Sequence, residues 1–264
     1  MAVPFDHIAP THSTLFKHAV ISQLQRKRVW RYLEQITPEL HGLEILELTC
    51  GTGEDAALFG ERGVSLIATD LSEEMLKVTQ QKVKQYSLQN KISSCYIDVE
   101  TFDETVFNKK FDLIFSNFNG INCISPGALQ KLLQKLPSIM APGGRLVAVV
   151  MPKRCLWETL HFALKLNFSK AFRRWTDKPV LAEAEEGIRT WFYQPSRIMR
   201  WASQSFRKVR TMPVGITIPP GFLEKFFSKR KRTLFKLYSL EKKLSRFAFL
   251  AGFSDHYIID LQLK

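Results

Sequence analysis

Nowhere in the 264 residues does an apolar run reach 18, so no segment has the length of a membrane-spanning helix. The first residues, Met1-Ala-Val-Pro-Phe-Asp, lack the charged start and apolar centre of a secretory signal, and a cytoplasmic protein is expected. The 4 cysteines, Cys50, Cys95, Cys123 and Cys155, are scattered without metal-ligand spacing and form no plausible disulfide framework, so free thiols are expected. No metal constellation accompanies the histidines, and no internal repeat or low-complexity tract is present.

What is present is an ordinary hydrophobic content of 45%, enough for one large domain or one domain with a sizeable insertion. Charge is placed unevenly: residues 151–250 hold 22 Lys and Arg against 7 Asp and Glu, a net +15, while the rest of the chain nets −2. A field of one sign draws anionic partners, and Ser228-Lys-Arg-Lys-Arg-Thr233 is its densest part.

From 43 to 151, short apolar runs alternate with helical patterns. Strands are expected near 43–48, 64–69, 92–97, 111–116 and 145–151, and helices near 54–61, 72–86 and 126–139. That alternation means an α/β fold with a parallel sheet covered on both faces, whose ligand sits at the carboxyl ends of the strands. Glu47, Asp70, Asp98 and Asn117 all fall at or beside strand ends.

The densest information lies in Ile45-Leu-Glu-Leu-Thr-Cys-Gly-Thr-Gly-Glu-Asp55. Gly51 and Gly53 make a turn whose backbone a ligand can approach closely, and Asp70 closes the next strand where a ribose diol would find an acceptor. A dinucleotide turn would carry a third glycine where Ala56 stands, and Glu47 suits an ammonium group better than a pyrophosphate.

Glu47-x-x-x-Gly51-x-Gly53 resembles motif I of the class I S-adenosylmethionine (SAM) methyltransferases, with Thr49 where the family has its first glycine. Further resemblances follow in the family's order. Asp70-Leu-Ser-Glu-Glu-Met75 is similar to the ribose and adenine segment, and Asp98-Val99 to the acid that meets the adenine amino group. Phe111 to Asn117 is similar to the fourth strand, and Ala141 to Val150 to the turn and fifth strand. The resemblance implies a Rossmann-like, doubly wound, seven-stranded sheet with an antiparallel last strand inserted between the fifth and sixth. It implies SAM as cofactor, held by Glu47, Thr49, Cys50, Gly51, Gly53, Asp70, Leu71, Met75, Asp98, Val99, Ser116 and Asn117. Phe5-Asp-His-Ile-Ala-Pro10 is similar in part to the cofactor flap of quinone-biosynthesis methyltransferases, which would bring His12 over the methyl group. An N-terminal helical flap (1–40), a SAM-binding core (41–152) and an acceptor-side half of the same domain (153–264) are expected.

In the N-terminal helical stretch, Val20 to Ile36, the run Gln25-Arg-Lys-Arg28 is expected largely on the wet side. Beyond Pro152 the pattern turns to long, aromatic-rich helices. The stretch Leu156 to Trp175 reads as a core helix or as the wall of an apolar acceptor pocket, and basic helical insertions between 222 and 250 would form an acceptor lid. The last strand is expected over 255–263.

A methyl on a sulfonium is already activated, so the protein must align the acceptor and manage one proton. Proton acceptors are sought among His7, His12, His18, His161, His256 and Glu158, with His12 and His161 as the catalytic candidates and no metal site. Base-amine methyltransferases carry a Pro-Pro after the fourth strand; Ser116-Asn-Phe-Asn-Gly120 does not. The expectation is methyl transfer to an O or C atom of an apolar aromatic, quinone-like, polyketide or acyl-type molecule. The basic region 200–246 would dock an anionic membrane surface or an acidic carrier protein. Two alternatives stand beside it: an RNA or DNA methyltransferase using the basic half with Trp191 and Trp201, and a non-catalytic binding subunit.

Overall fold

The structure is a computed structural model that describes residues 6, 19–37, 42–181 and 188–264. Its centre is one seven-stranded sheet. Strands β1 (Glu44–Leu48), β2 (Ser65–Asp70), β3 (Ile92–Tyr96), β4 (Phe111–Ser116) and β5 (Met140–Val150) are joined later in the chain by β8 (Phe206–Val214) and β9 (His256–Leu263). The order across the sheet is β3-β2-β1-β4-β5-β9-β8. The first five pair in parallel, and β9 runs antiparallel between β5 and β8. The Rossmann-like, doubly wound sheet with its inserted last strand is therefore as the sequence implied. A two-stranded ribbon, β6 (Val180–Leu181) and β7 (Arg189–Thr190), stands apart.

Burial explains the strand sequences. Leu46, Leu48, Ile114 and Leu146 pack on one face of the sheet, and Ile45, Leu66, Leu113 and Val147 on the other, so the strands carry near-continuous apolar runs. Helices cover both faces: α1 (Val20–Ile36), α2 (Glu54–Glu61), α3 (Glu73–Gln85) and α4 (Pro126–Lys135). Ser72 caps α3 by accepting from the Met75 N–H at 3.2 Å. The start of α1 is capped from far away, by the Glu224 carboxylate on the N–H groups of Val20 and Ile21 at 2.9 Å each.

Two sequence expectations are corrected. Gln25 and Arg28 are buried at 4% and 8% exposure rather than lying on the wet side of α1. Gln25 donates to Asp255 and to the Pro219 carbonyl, and Arg28 to Ser245, so both carry tertiary contacts that helical periodicity does not encode. The second correction concerns 156–175, which is two short helices, α5 (Leu156–Leu164) and α6 (Phe168–Ala171), rather than one core helix. Leu160, Leu164, Leu166 and Phe168 are 57–85% exposed, while the buried side chain of α5 is Glu158. Glu158 lies inward because Arg173 and Arg174 hold it at 2.6 and 2.9 Å, and Arg174 also grips Asp255 at 2.9 Å. Three further helices complete the C-terminal half: α7 (Pro195–Ala202), α8 (Glu224–Phe227) and α9 (Lys231–Leu244). Among the described residues no helix is long and apolar enough to cross a membrane.

Candidate active site

A cavity of about 610 Å3 opens at the carboxyl ends of β1, β2 and β4, within the range of roughly 300–1,000 Å3 usual for small-molecule sites. The turn after β1 is its floor. Thr49, Gly51 and Gly53 all take positive φ, at 57°, 55° and 70°. A Cβ on Gly53 would stand 2.6 Å from Thr79 Cγ2, so glycine there lets α3 close on the turn. Thr79 Oγ1 then donates to the Gly51 carbonyl at 2.9 Å, and Lys82 to the Thr52 carbonyl at 2.6 Å. Thr49 keeps the left-handed backbone that a glycine would adopt easily, with its hydroxyl 3.0 Å from Ser116 Oγ.

Three carboxylates from successive strand ends face the cavity: Glu47, Asp70 and Asp98. Asp70 accepts from the N–H groups of Gly51 at 2.8 Å and Ser72 at 3.0 Å, which orients it across the turn. Burial raises its pKa, and those N–H groups oppose the rise. Asp98 accepts from the Glu100 N–H at 2.9 Å. Glu47 differs from both. It is 2% exposed, its Oε2 has no hydrogen-bond partner among the described residues, and its pKa is driven well up, first by burial and then by Asp55. A buried carboxylate without a donor fits a cationic ligand group.

Ten of the twelve expected cofactor residues line this cavity: Glu47, Thr49, Cys50, Gly51, Asp70, Leu71, Met75, Asp98, Val99 and Asn117. Gly53 and Ser116 stand one layer behind, bracing the turn. The Cys50 thiol is pushed well up by burial and then by Asp70, which keeps it protonated.

Sequence reading missed several wall residues. Asp55 takes the Trp30 indole N–H at 2.7 Å, the Asn117 amide at 2.8 Å and the Arg26 guanidinium at 3.3 Å, tying α1 to the end of β4. An acid in the first turn of a helix is ordinary, and nothing local signals partners this far away. Phe118, Asn119 and Gly120 extend the wall beyond β4, and Ile188, Arg189 and Trp191 close it from the C-terminal half. Among the described residues that half reaches the cavity through 188–191, and none of the helices expected as a lid lines it. Trp191, named with Trp201 for the nucleic-acid alternative, faces the cavity, and Trp201 packs on Tyr193 at 5.9 Å.

The proton-acceptor candidates fare differently. His7, His12 and His18 lie outside the described residues. His161 does not line the cavity; it packs on Phe162 and Phe222 at 5.0 and 5.3 Å, and burial followed by Lys165 lowers its pKa. Glu158 is enclosed by its two arginines. His256 sits behind Phe118 at 5.0 Å, between Asp255 and Asn119.

Sheet order, glycine turn and strand-end acids define a class I SAM-dependent methyltransferase domain, and SAM is its cofactor. Residues 45–144 match a family described as a methyltransferase domain. The chain is 24% identical over 209 residues to a demethylmenaquinone methyltransferase of Paenarthrobacter aurescens, covering 78% of this chain and 77% of that one. It is 31% identical over 148 residues to the Bacteroides fragilis protein of the same name, covering 54% and 56%, and so spans about half of that relative's length. The crystal structure of magnesium protoporphyrin IX methyltransferase from Synechocystis, with S-adenosylhomocysteine bound, has the same fold: TM-score 0.60, 14% identity, 98% and 97% coverage.

Proposed function

We propose that the protein moves the SAM methyl group to an oxygen or carbon atom of an apolar small molecule, aromatic or quinone-like. The observation that carries this reading is the apolar wall of Phe118, Ile188 and Trp191 beside Asn117, with no Pro-Pro after β4. The relatives named as demethylmenaquinone methyltransferases support the same acceptor class.

The donor-side residues divide the cofactor by chemistry. Glu47 would hold the ammonium group, Asp70 the ribose hydroxyls, and Asp98 with Val99 the adenine. When bound, SAM supplies a methyl group already activated by sulfonium. The chain's own task is to orient the acceptor and exclude water, which Phe118, Ile188 and Trp191 do. Arg189, at the rim of that wall, holds a phenolate or enolate acceptor in its anionic form and so removes the need for a strong base.

An apolar acceptor partitions into lipid, and the exposed face of α5 and α6 supplies a route to it. Leu160, Leu164 and Leu166 stand in solvent, and Phe162 packs on Phe222 at 5.5 Å, joining α5 to the segment before α8. Cations border the patch: Lys170 lies 5.9 Å from the Phe162 ring and Arg230 3.8 Å from the Phe226 ring. Exposed apolar side chains with lysine and arginine among them suit an anionic phospholipid surface. The enzyme is then a cytoplasmic one that works at the membrane face.

Purified protein with methyl-labelled SAM is expected to label quinol and phenol acceptors. Transfer to RNA with none to these acceptors overturns the reading.

A further inference from the structure

Helix α1 serves two cavities. Its Arg26 lines the cofactor cavity, while positions 28, 31, 32 and 35, three and four residues apart, share another side of the helix. Arg28, Arg31, Tyr32 and Gln35 line a second cleft of about 440 Å3, closed by Arg210 and Met212 of β8 and by Lys242 and Ser245 at the end of α9. Among the described residues the two cavities share no lining residue.

Among the described residues eight line the cleft, of which four are cations and none is an acid. Two neighbouring acids, Glu241 and Asp260, already hold other donors. Glu241 accepts from the N–H groups of Gly215, Ile216, Thr217 and Ile218 and from the Thr217 hydroxyl. Asp260 takes Arg145 and the Tyr32 hydroxyl. Arg31 and Lys242 lie over the Tyr238 ring at 5.6 and 5.1 Å, and Arg210 over the Tyr32 ring at 5.6 Å, so aromatic faces stand where carboxylates would.

Arg28 is the telling member. It is 8% exposed, its Nη2 donates to Ser245 Oγ at 2.6 Å and touches the Met212 sulfur at 3.9 Å, and its Nε is buried with no acceptor among the described residues. Burial lowers its pKa; Glu241 opposes that, and Arg31 and Arg210 add to it. Arginines on a solvated helix face are ordinary. Three cations gathered around a buried, under-satisfied guanidinium are not, and they repel one another until an anion enters.

We infer that this cleft binds a phosphate or diphosphate group, gripped by Arg31, Arg210 and Lys242 with Arg28 as a fixed charge behind them. Guanidinium forks match phosphate oxygens in geometry and charge, and Gln35 adds a neutral donor. A soluble phosphate compound and a lipid headgroup present the same chemistry to it.

Inorganic pyrophosphate titrated calorimetrically into the full chain at low salt tests the soluble source, and phosphatidic acid vesicles the lipid one. The double variant Arg31→Gln/Arg210→Gln changes residues that reach the surface, so its melting temperature and SAM affinity should match wild type and verify the fold. We expect binding to at least one probe, weakened about tenfold or more in the double variant and weakened by added salt. Pyrophosphate binding assigns a soluble ligand; vesicle binding alone, lost in the double variant, assigns a headgroup. Neither probe binding, or wild type and double variant binding both probes equally, overturns the inference. Because SAM affinity is measured separately, failure here is distinguishable from failure of the methyltransferase reading.

Discussion

Gly120 makes room for Thr49. A Cβ on Gly120 would stand 1.8 Å from Thr49 Oγ1 and 2.8 Å from Ser116 Oγ, so the glycine that motif I lacks at position 49 is matched by one that contacts it from beyond β4. Thr49 in turn holds its positive φ with a hydroxyl bound to the Leu48 carbonyl and to Ser116. Gly120→Ala is expected to push Thr49 out of place and to weaken SAM binding at least about tenfold. Adding Thr49→Gly removes the clashing hydroxyl and should recover most of the loss. Calorimetric titration of the two single variants and the pair measures the coupling, and additive effects would contradict the account.

Glu47 trades stability for a binding charge. Burial holds its pKa above the ordinary 4.5, so the folded chain binds more protons than the unfolded chain from about pH 4.5 up to the raised folded value. Its contribution to stability is fully present below that window and is lost as pH rises through it. At neutral pH, Glu47→Gln should therefore raise the melting temperature of the ligand-free protein by about 2–4 °C, while SAM affinity falls at least about tenfold. A lower melting temperature would show that the carboxylate is already compensated.

Asp55 is expected to be costly to truncate. Asp55→Ala leaves the Trp30 indole N–H and the Asn117 amide without their acceptor, at about 1–3 kcal/mol for each buried group left unpaired. The loss is readable by denaturant unfolding, and it should come with reduced SAM affinity because Asn117 is released.

Arg189→Gln should leave SAM affinity unchanged and move the pH profile of kcat/KM toward higher pH for a phenolic acceptor. A neutral side chain no longer holds the acceptor as its anion. An unshifted profile with a changed SAM affinity would place Arg189 on the donor side instead.

Leu164 and Leu166 are 85% and 78% exposed, so charging them costs the folded state little. The pair Leu164→Asp/Leu166→Asp should keep the melting temperature and lose about tenfold or more of its partition onto phosphatidylglycerol vesicles. Unchanged partition would remove this face as the docking surface.

The sheet was legible in the chain because buried parallel strands are written locally, as apolar runs ended by Gly51, Asp70 or Asn117. The donor side was legible for the same reason, since Glu47, Asp70 and Asp98 sit next to the strands that aim them. Asp55 and Trp191 were not, because each takes its place through partners far along the chain, Trp30 for one and the Asn122 carbonyl for the other. The stretch 156–175 misled in a more instructive way. Helical periodicity reports that one face is apolar, and it carries no information about whether protein covers that face. Arg28 and Gln25 show the converse, polar side chains drawn inward by acceptors that no local pattern announces.

The placement of β9 sets the order in which the molecule can be finished. Among the described residues β8 pairs with β9 alone, across the registers Phe206 to Val214 and His256 to Leu263. During synthesis residues 206–214 therefore leave the ribosome as an orphaned edge, and all of 215–255 must follow before their neighbour exists. Such an edge invites pairing with other nascent chains. Lys208 and Arg210, solvent-facing on that strand, give it the like-charge repulsion that keeps those copies apart while it waits.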